Sequence, residues 1–143
     1  MEAKLNPLIL YSTLISFFII SLGCFVTFAF FLNSLISELI SHSPTVCINK
    51  GAYYFLGGGI CIGAFLLDGV PNHIFKRPVS SKTSKFIWSI IMAGFALTFL
   101  VPHMIHYPVA SYLENNGYTI CESASTKWLH SKNIVYMKNN VCE

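Results

Sequence analysis

The sequence predicts an all-α membrane protein with three transmembrane helices and a small, disulfide-stapled tail outside the cytoplasm. The first observation is composition, because 54% of the 143 residues are hydrophobic and only 10% are charged, whereas soluble domains carry about 25% charged residues. The second is three long apolar runs, each of a length that can cross a bilayer core, which takes roughly 20 residues. The third is a basic loop between the second and third runs, which sets the orientation.

The first run carries no charged residue from Leu5 to Ser37, and it predicts a span within 8–33. Each Leu, Ile, Phe or Val near the middle of a span favours insertion by roughly 0.3 to 0.6 kcal/mol. The run is longer than the apolar region of a signal peptide, so we interpret it as a retained anchor. Apolar residues at helical spacing after it predict that the helix continues to Pro44.

The second and third runs predict spans at 51–70 and 86–105. The second run is short and rich in glycine, which lowers helix propensity, so it should insert together with its neighbours. Gly59 and Gly63 form a G-x-x-x-G pair that lets another helix approach the backbone closely. We expect this pair to serve packing within the chain, with homodimerisation as the alternative.

Basic residues predict the orientation of the spans. Lys76, Arg77, Lys82 and Lys85 all lie between the second and third runs, and short loops rich in Lys and Arg stay in the cytoplasm. The prediction is therefore a multi-pass protein of a bacterial inner membrane, with a cytoplasmic N-terminus and a periplasmic C-terminus. Residues 1–106 would form the membrane domain, and residues 107–143 the extracytoplasmic tail.

The tail contains short elements of both kinds. "PVASYLENNG" predicts a separate short helix after Pro108 that ends at Asn116 and Gly117. "YTIC" and "NIVYM" are β-prone runs. A helix with a hairpin is one expectation, and a tail ordered only by its disulfide is the other.

The orientation divides the five cysteines into two sets. Cys24 and Cys61 fall inside predicted spans, whereas the other three would share an oxidising compartment. We expect Cys121 to pair with Cys142, because closing a loop of this length is worth roughly 3 kcal/mol in the chain-entropy model. Pairing of Cys47 with Cys121 is the rival, and it would tie the tail to the first loop.

No catalytic constellation is visible in the sequence. It contains neither a C-x-x-C pair nor a G-x-S-x-G elbow, which are typical of thiol oxidoreductases and of many hydrolases. We expect no enzyme activity, no cofactor and no nucleic-acid partner. His103 and His106 are weak candidates for a metal site, because they lie three residues apart on one helix face, and the expectation is that no metal binds.

The tail pattern of "GYTIC", then a Trp, then "VY", then a terminal Cys resembles small inner-membrane proteins of Gram-negative bacteria that form an uncharacterised family. The size and layout also look like the membrane immunity proteins that protect bacteria from bacteriocins or contact-delivered toxins. This resemblance implies a non-enzymatic protein that lies in the lipid bilayer and binds a protein toxin. The alternative is a structural or accessory subunit of a cell-envelope complex.

Overall fold

Three long helices and a small sheet make up the protein in a computed structural model, which describes residues 7–73, 79–128 and 131–138. The elements in chain order are α1 (Pro7–Ile40), β1 (Thr45–Asn49), α2 (Lys50–His73), α3 (Ser81–Asn115), β2 (Tyr118–Trp128) and β3 (Ser131–Lys138). The expectation of an all-α fold is therefore wrong in part, because three strands form one sheet.

The three helices are long and apolar enough to cross a membrane. Within the most apolar segment of each helix, only 6%, 22% and 11% of the residues are buried inside the protein. Large side chains such as Leu8, Phe30 and Phe86 are more than 60% exposed. A surface this apolar is stable in contact with lipid but not in contact with water. This is therefore a multi-pass membrane protein, as the sequence predicts.

The middle helix of the bundle is α2, which packs against both α1 and α3. Because successive helices run in opposite directions, the C-terminal ends of α1 and α3 lie beside the N-terminal end of α2. We call this the sheet end, because the sheet packs there. The other end, where α3 begins, is called the basic end.

The three strands are all antiparallel, with β3 between β1 and β2. The strand β1 lies in the connection between α1 and α2, and it pairs with β3 near the end of the chain. An irregularity interrupts the pairing of β2 with β3 between Cys121 and Thr126. There the Ser125 hydroxyl accepts a hydrogen bond from the Val135 N–H at 3.2 Å and donates one to the Cys121 carbonyl at 2.6 Å. The serine side chain thus stabilises the gap in the strand pairing.

Two prolines lie inside α3 without ending it. Pro102 and Pro108 each lack the N–H that would bond the carbonyl four residues earlier, yet the helix runs unbroken from Ser81 to Asn115. The predicted separate helix after Pro108 is thus wrong. Helices in membranes tolerate such prolines because packing and polar neighbours compensate for the missing bonds, and Pro102 is fully buried.

The end of α3 follows the sequence prediction. Gly117 has a φ of 80°, the left-handed conformation that ends many helices and that glycine adopts at little cost. Its N–H donates to the Glu114 carbonyl at 3.1 Å. The chain can therefore turn directly into β2, which returns towards the ends of the helices.

Candidate functional site

The hydrophobic core lies at the sheet end, where one face of the sheet covers the helix ends. Val46 and Ile48 of β1 are fully buried, and Ile134 and Tyr136 lie opposite them on β3. Fully burying one such side chain contributes about 1.5 to 3 kcal/mol. The remaining buried members of this core are Leu35, Tyr53, Val101, Leu113 and Tyr118. The described part of the tail is therefore packed as an integral layer of the protein.

Specific hydrogen bonds also join the tail to the connection between α1 and α2. The Tyr118 hydroxyl donates to the Ser43 carbonyl at 2.8 Å, and the Lys138 N–H donates to the Pro44 carbonyl at 2.9 Å. The Lys138 ammonium lies 5.6 Å from the centre of the Tyr118 ring, within cation–π range. These contacts bring segments that are about 75 to 95 residues apart in the sequence together into one surface.

Glu38, near the end of α1, caps the exposed edge of β1. Its Oε2 accepts a hydrogen bond from the Cys47 N–H at 2.9 Å, and its Oε1 accepts one from the Ser34 hydroxyl at 3.2 Å. Burial, and next the charge of Glu38, raise the pKa of the Cys47 thiol. The side chain of Cys47 is nonetheless exposed, so this thiol is accessible but has little thiolate at neutral pH.

The sheet register separates two of the cysteines considered for a disulfide. Cys47 and Cys121 both lie opposite Val135, one on each side of β3. Two interstrand spacings put their Cα atoms about 9.5 Å apart, beyond the limit of about 7 Å for a disulfide. The thiols of Cys24, Cys47 and Cys61 are free, so the rival pairing of Cys47 with Cys121 is not formed.

The favoured pairing involves one residue that the structure places and one that it does not. Cys121 is only 1% exposed and is not among the free thiols of the described residues. Cys142 lies outside the described residues. Their pairing stays a prediction.

Among the grooves that the described residues form at the sheet end, two border α3. The first, which we call the apolar groove, has a volume of about 410 Å³ and lies between the ends of α1 and α3; its lining is Leu39, Ile40, His42, Pro108, Val109 and Tyr112. The second, the polar groove, has a volume of about 370 Å³ and lies between α3, the start of α2 and the sheet. It is lined by Lys50, His106, Tyr107, Ala110, Ser111, Glu114, Ile120, Ile134 and Tyr136.

The two histidines considered for metal binding differ in surroundings. His106 lines the polar groove, whereas His103 is exposed and its Nδ1 lies 2.9 Å from the Phe99 carbonyl. Within 7–73, 79–128 and 131–138, no group of three or more His, Cys, Asp or Glu residues is arranged to hold a metal ion.

The predicted glycine pair lies against α1 of the same chain. A Cβ atom on Gly59 would be 3.1 Å from the Cys24 Cβ, and one on Gly63 would be 3.3 Å from the Ser21 Oγ. The buried Ser21 hydroxyl donates to the Gly59 carbonyl at 3.0 Å. Small residues here allow the two backbones to approach closely.

A second close approach, between α2 and α3, is absent from the sequence prediction. A Cβ atom on Gly57 would overlap the Thr98 backbone and side chain and the Gly94 carbonyl, and one on Gly94 would be 2.9 Å from the Cys61 Sγ. Gly57 with Cys61, and Gly94 with Thr98, are small residues four apart. That spacing, a general form of G-x-x-x-G, is the signal that could have identified this contact.

Two of the residues used to predict orientation lie at the basic end. Lys82 and Lys85 are exposed in the first turns of α3, while Lys76 and Arg77 lie outside the described residues. The sheet and these two lysines therefore occupy opposite ends of the bundle.

Comparison with known proteins agrees with the expectation of an uncharacterised family. A family model described as a protein of unknown function, DUF1240, matches residues 40–143, which include the sheet, α2 and α3. No curated protein and no solved structure matches the chain, and the resemblance to immunity proteins gains no support. Because the family model covers well over half of the sequence, the chain belongs to the DUF1240 family of proteins of unknown function.

Proposed function

We propose that this membrane protein acts by binding another protein, with the sheet end as its recognition surface. The observation that carries the proposal is the sheet itself, because β1 and the tail combine into one layer fixed to the helix ends. A rigid surface loses little conformational entropy when a partner binds. The apolar groove supplies an anchoring point there, since Ile40 is 75% exposed and lines it.

The specific form of the proposal is immunity, in which the partner is a bacteriocin or a contact-delivered toxin that acts on the inner membrane. Toxins of this kind reach the membrane from the periplasm, so the sheet end has to face that side. The position of Lys82 and Lys85 at the other end supports this orientation, because basic segments stay in the cytoplasm.

A disulfide between Cys121 and Cys142 belongs to the same proposal. Lys138 pairs with Tyr118, and Cys121 lies three residues further along β2, about 10 Å away. Cys142 lies four positions after Lys138 in the sequence, and an extended chain of four steps reaches about 13 Å. The chain is therefore long enough for Cys142 to return to Cys121, and the bond would fasten the end of the tail to an edge strand.

Protection of a sensitive strain tests this function. Expression of the protein should protect against a toxin encoded beside its gene, and Ile40→Asp should abolish protection because it puts a charge into the apolar groove. Thr83→Asp, an exposed change at the basic end, is the matched control and should leave protection intact.

Two outcomes would contradict the immunity proposal. One is a lack of protection while the protein is present in the membrane. The other is a stable, stoichiometric membrane partner, unrelated to any toxin, that copurifies with the protein and is lost in Ile40→Asp. The second outcome would favour the accessory-subunit function and would keep the sheet end as the binding surface.

A further inference from the structure

The polar groove is lined by side chains of both positive and negative charge. His106, Ala110 and Glu114 follow one another at intervals of four on one face of α3, and Lys50 at the start of α2 lines the same groove. Residues four apart on a helix are neighbours along its axis. The groove therefore has a potential cation, an imidazole and a carboxylate arranged around one volume of about 370 Å³.

The groove lies at the depth of lipid headgroups. The predicted third span ends at residue 105, so His106 lies at the boundary of the hydrocarbon core. A helix rises 1.5 Å per residue, which places Glu114 about 12 Å further out than His106. The headgroup layer of one leaflet is about 5 to 7 Å thick, so the backbone of Glu114 lies about 5 Å outside this layer. Long side chains on a helix lean towards its N-terminus, which brings the Glu114 carboxylate back towards the headgroups.

The charge of Glu114 acts inside the groove as well as at its rim. Glu114 is exposed, but Tyr136, which lines the groove, is buried. Burial, and next the charge of Glu114, raise the pKa of the Tyr136 phenol. The phenol hydroxyl stays protonated at neutral pH and is therefore a hydrogen-bond donor in the wall of the groove.

We propose that the polar groove binds the headgroup of phosphatidylethanolamine, with the phosphate beside Lys50 and His106 and the ammonium beside Glu114. In this lipid the phosphate is attached next to the glycerol, and the ammonium is at the outer tip. The order along α3 matches, because the imidazole lies nearer the hydrocarbon and the carboxylate lies further out. The N–H groups of lysine and histidine donate hydrogen bonds to phosphate oxygens, and a carboxylate accepts hydrogen bonds from an ammonium.

The walls of the groove favour a lipid over a soluble phosphoethanolamine. Tyr107 is 68% exposed and Ile120 is 46% exposed, and both line the groove. A soluble ligand gains little from such surfaces, whereas the glycerol and upper acyl carbons of a lipid bury them. Tyrosine is also enriched at the level of headgroups because its ring is apolar and its hydroxyl is polar.

Native mass spectrometry of the detergent-purified full chain tests the proposal with four probes. These are phosphatidylethanolamine, phosphatidylglycerol without an ammonium, phosphatidylcholine with an ammonium that has no N–H, and soluble O-phosphoethanolamine. We expect phosphatidylethanolamine to be retained roughly tenfold more than the other two lipids, the factor for one charge-assisted hydrogen bond. Glu114→Gln should lower the retention of phosphatidylethanolamine to that of phosphatidylglycerol. Lys50→Gln should lower the retention of both lipids.

Matched variants separate binding from folding. Glu122→Gln on β2 and Lys82→Gln at the basic end remove the same charges away from the groove and should leave lipid retention unchanged. Glu114→Asp keeps the carboxylate and should retain the preference, with the thermal unfolding midpoint measured for each variant. Equal retention of the three lipids by the native chain overturns the proposal. An equal loss of lipid retention in the control variants also overturns it. Displacement of the lipid by an equal concentration of O-phosphoethanolamine would overturn it too, because the groove would then bind a soluble ligand.

Discussion

Cys47 and Cys121 lie on opposite edges of the sheet, and Val135 of the central strand lies between them. The two residues differ sharply in surroundings, because Cys47 is exposed with a free thiol and Cys121 is 1% exposed. One sheet thus carries an accessible thiol on β1 and a protected cysteine on β2. This contrast makes the proposed pairing of Cys121 with Cys142 directly testable.

Thiol labelling before and after reduction should distinguish the free cysteines from the proposed disulfide pair. In the unfolded but unreduced protein, a maleimide should label Cys24, Cys47 and Cys61, and reduction should add the labels on Cys121 and Cys142. Peptide mapping by mass spectrometry should recover one linked pair of those two residues. A linked peptide that contains Cys47 would contradict the sheet register as well as the pairing.

Replacing Glu38 should make the Cys47 thiol more reactive. Glu38→Gln removes the negative charge that helps to raise the pKa of Cys47, while the amide oxygen can still accept the hydrogen bond from the Cys47 N–H. The pKa of Cys47 should fall, and the thiolate fraction at neutral pH should rise with it. The rate of alkylation of Cys47, followed between pH 7 and pH 10, should therefore have its midpoint at lower pH in the variant.

The control for this prediction is Glu122→Gln, which removes a carboxylate from β2, and its pH profile should match that of the native chain. Burial remains in Glu38→Gln, and burial is the larger cause of the raised pKa. The midpoint should consequently stay above the ordinary range of a free cysteine. An unchanged midpoint in Glu38→Gln would show that the Glu38 charge does not reach the sulfur.

Two adjacent glycines of α2 should respond differently to replacement by alanine. Gly57→Ala places a methyl group onto the Thr98 and Gly94 backbones, whereas a Cβ atom on Gly58 meets nothing within 4 Å. Overpacking of this kind typically costs about 1 to 3 kcal/mol, but alanine in an open helical position favours the helix by about 1 kcal/mol. Gly57→Ala should lower the unfolding midpoint in detergent, and Gly58→Ala should keep or raise it. Similar midpoints for the two variants would contradict the close approach of α2 and α3.

The three helices could be predicted because composition and length determine them locally. The sheet could not, because β1 has five residues and its partner on β3 lies far along the chain, with Thr45 opposite Met137. Two β-prone runs in the tail predicted a hairpin, but nothing near Thr45 indicates a third strand. The wrong helix end at Pro108 has the same origin, because a local rule was overridden by the packing of α3.

The candidate site was predictable to a smaller extent than the fold. Cys47 and Cys121 were recognised as residues of one compartment, but only the sheet register shows that Val135 separates them. The polar groove joins Lys50, His106 and Glu114 from two helices. Their proximity depends on the angle and depth at which α2 and α3 pack, which hydrophobic patterns do not specify.

The orientation of the protein can be tested with its own thiol. Cys47 is exposed at the sheet end, so a membrane-impermeant maleimide should label it in cells whose outer membrane has been permeabilised. The control is Ser81→Cys in a Cys47→Ser background, because Ser81 begins α3 at the basic end and is exposed. This thiol should be labelled only after the inner membrane is opened. The reverse pattern would place Lys82 and Lys85 outside the cytoplasm, and a periplasmic partner could then not reach the sheet end.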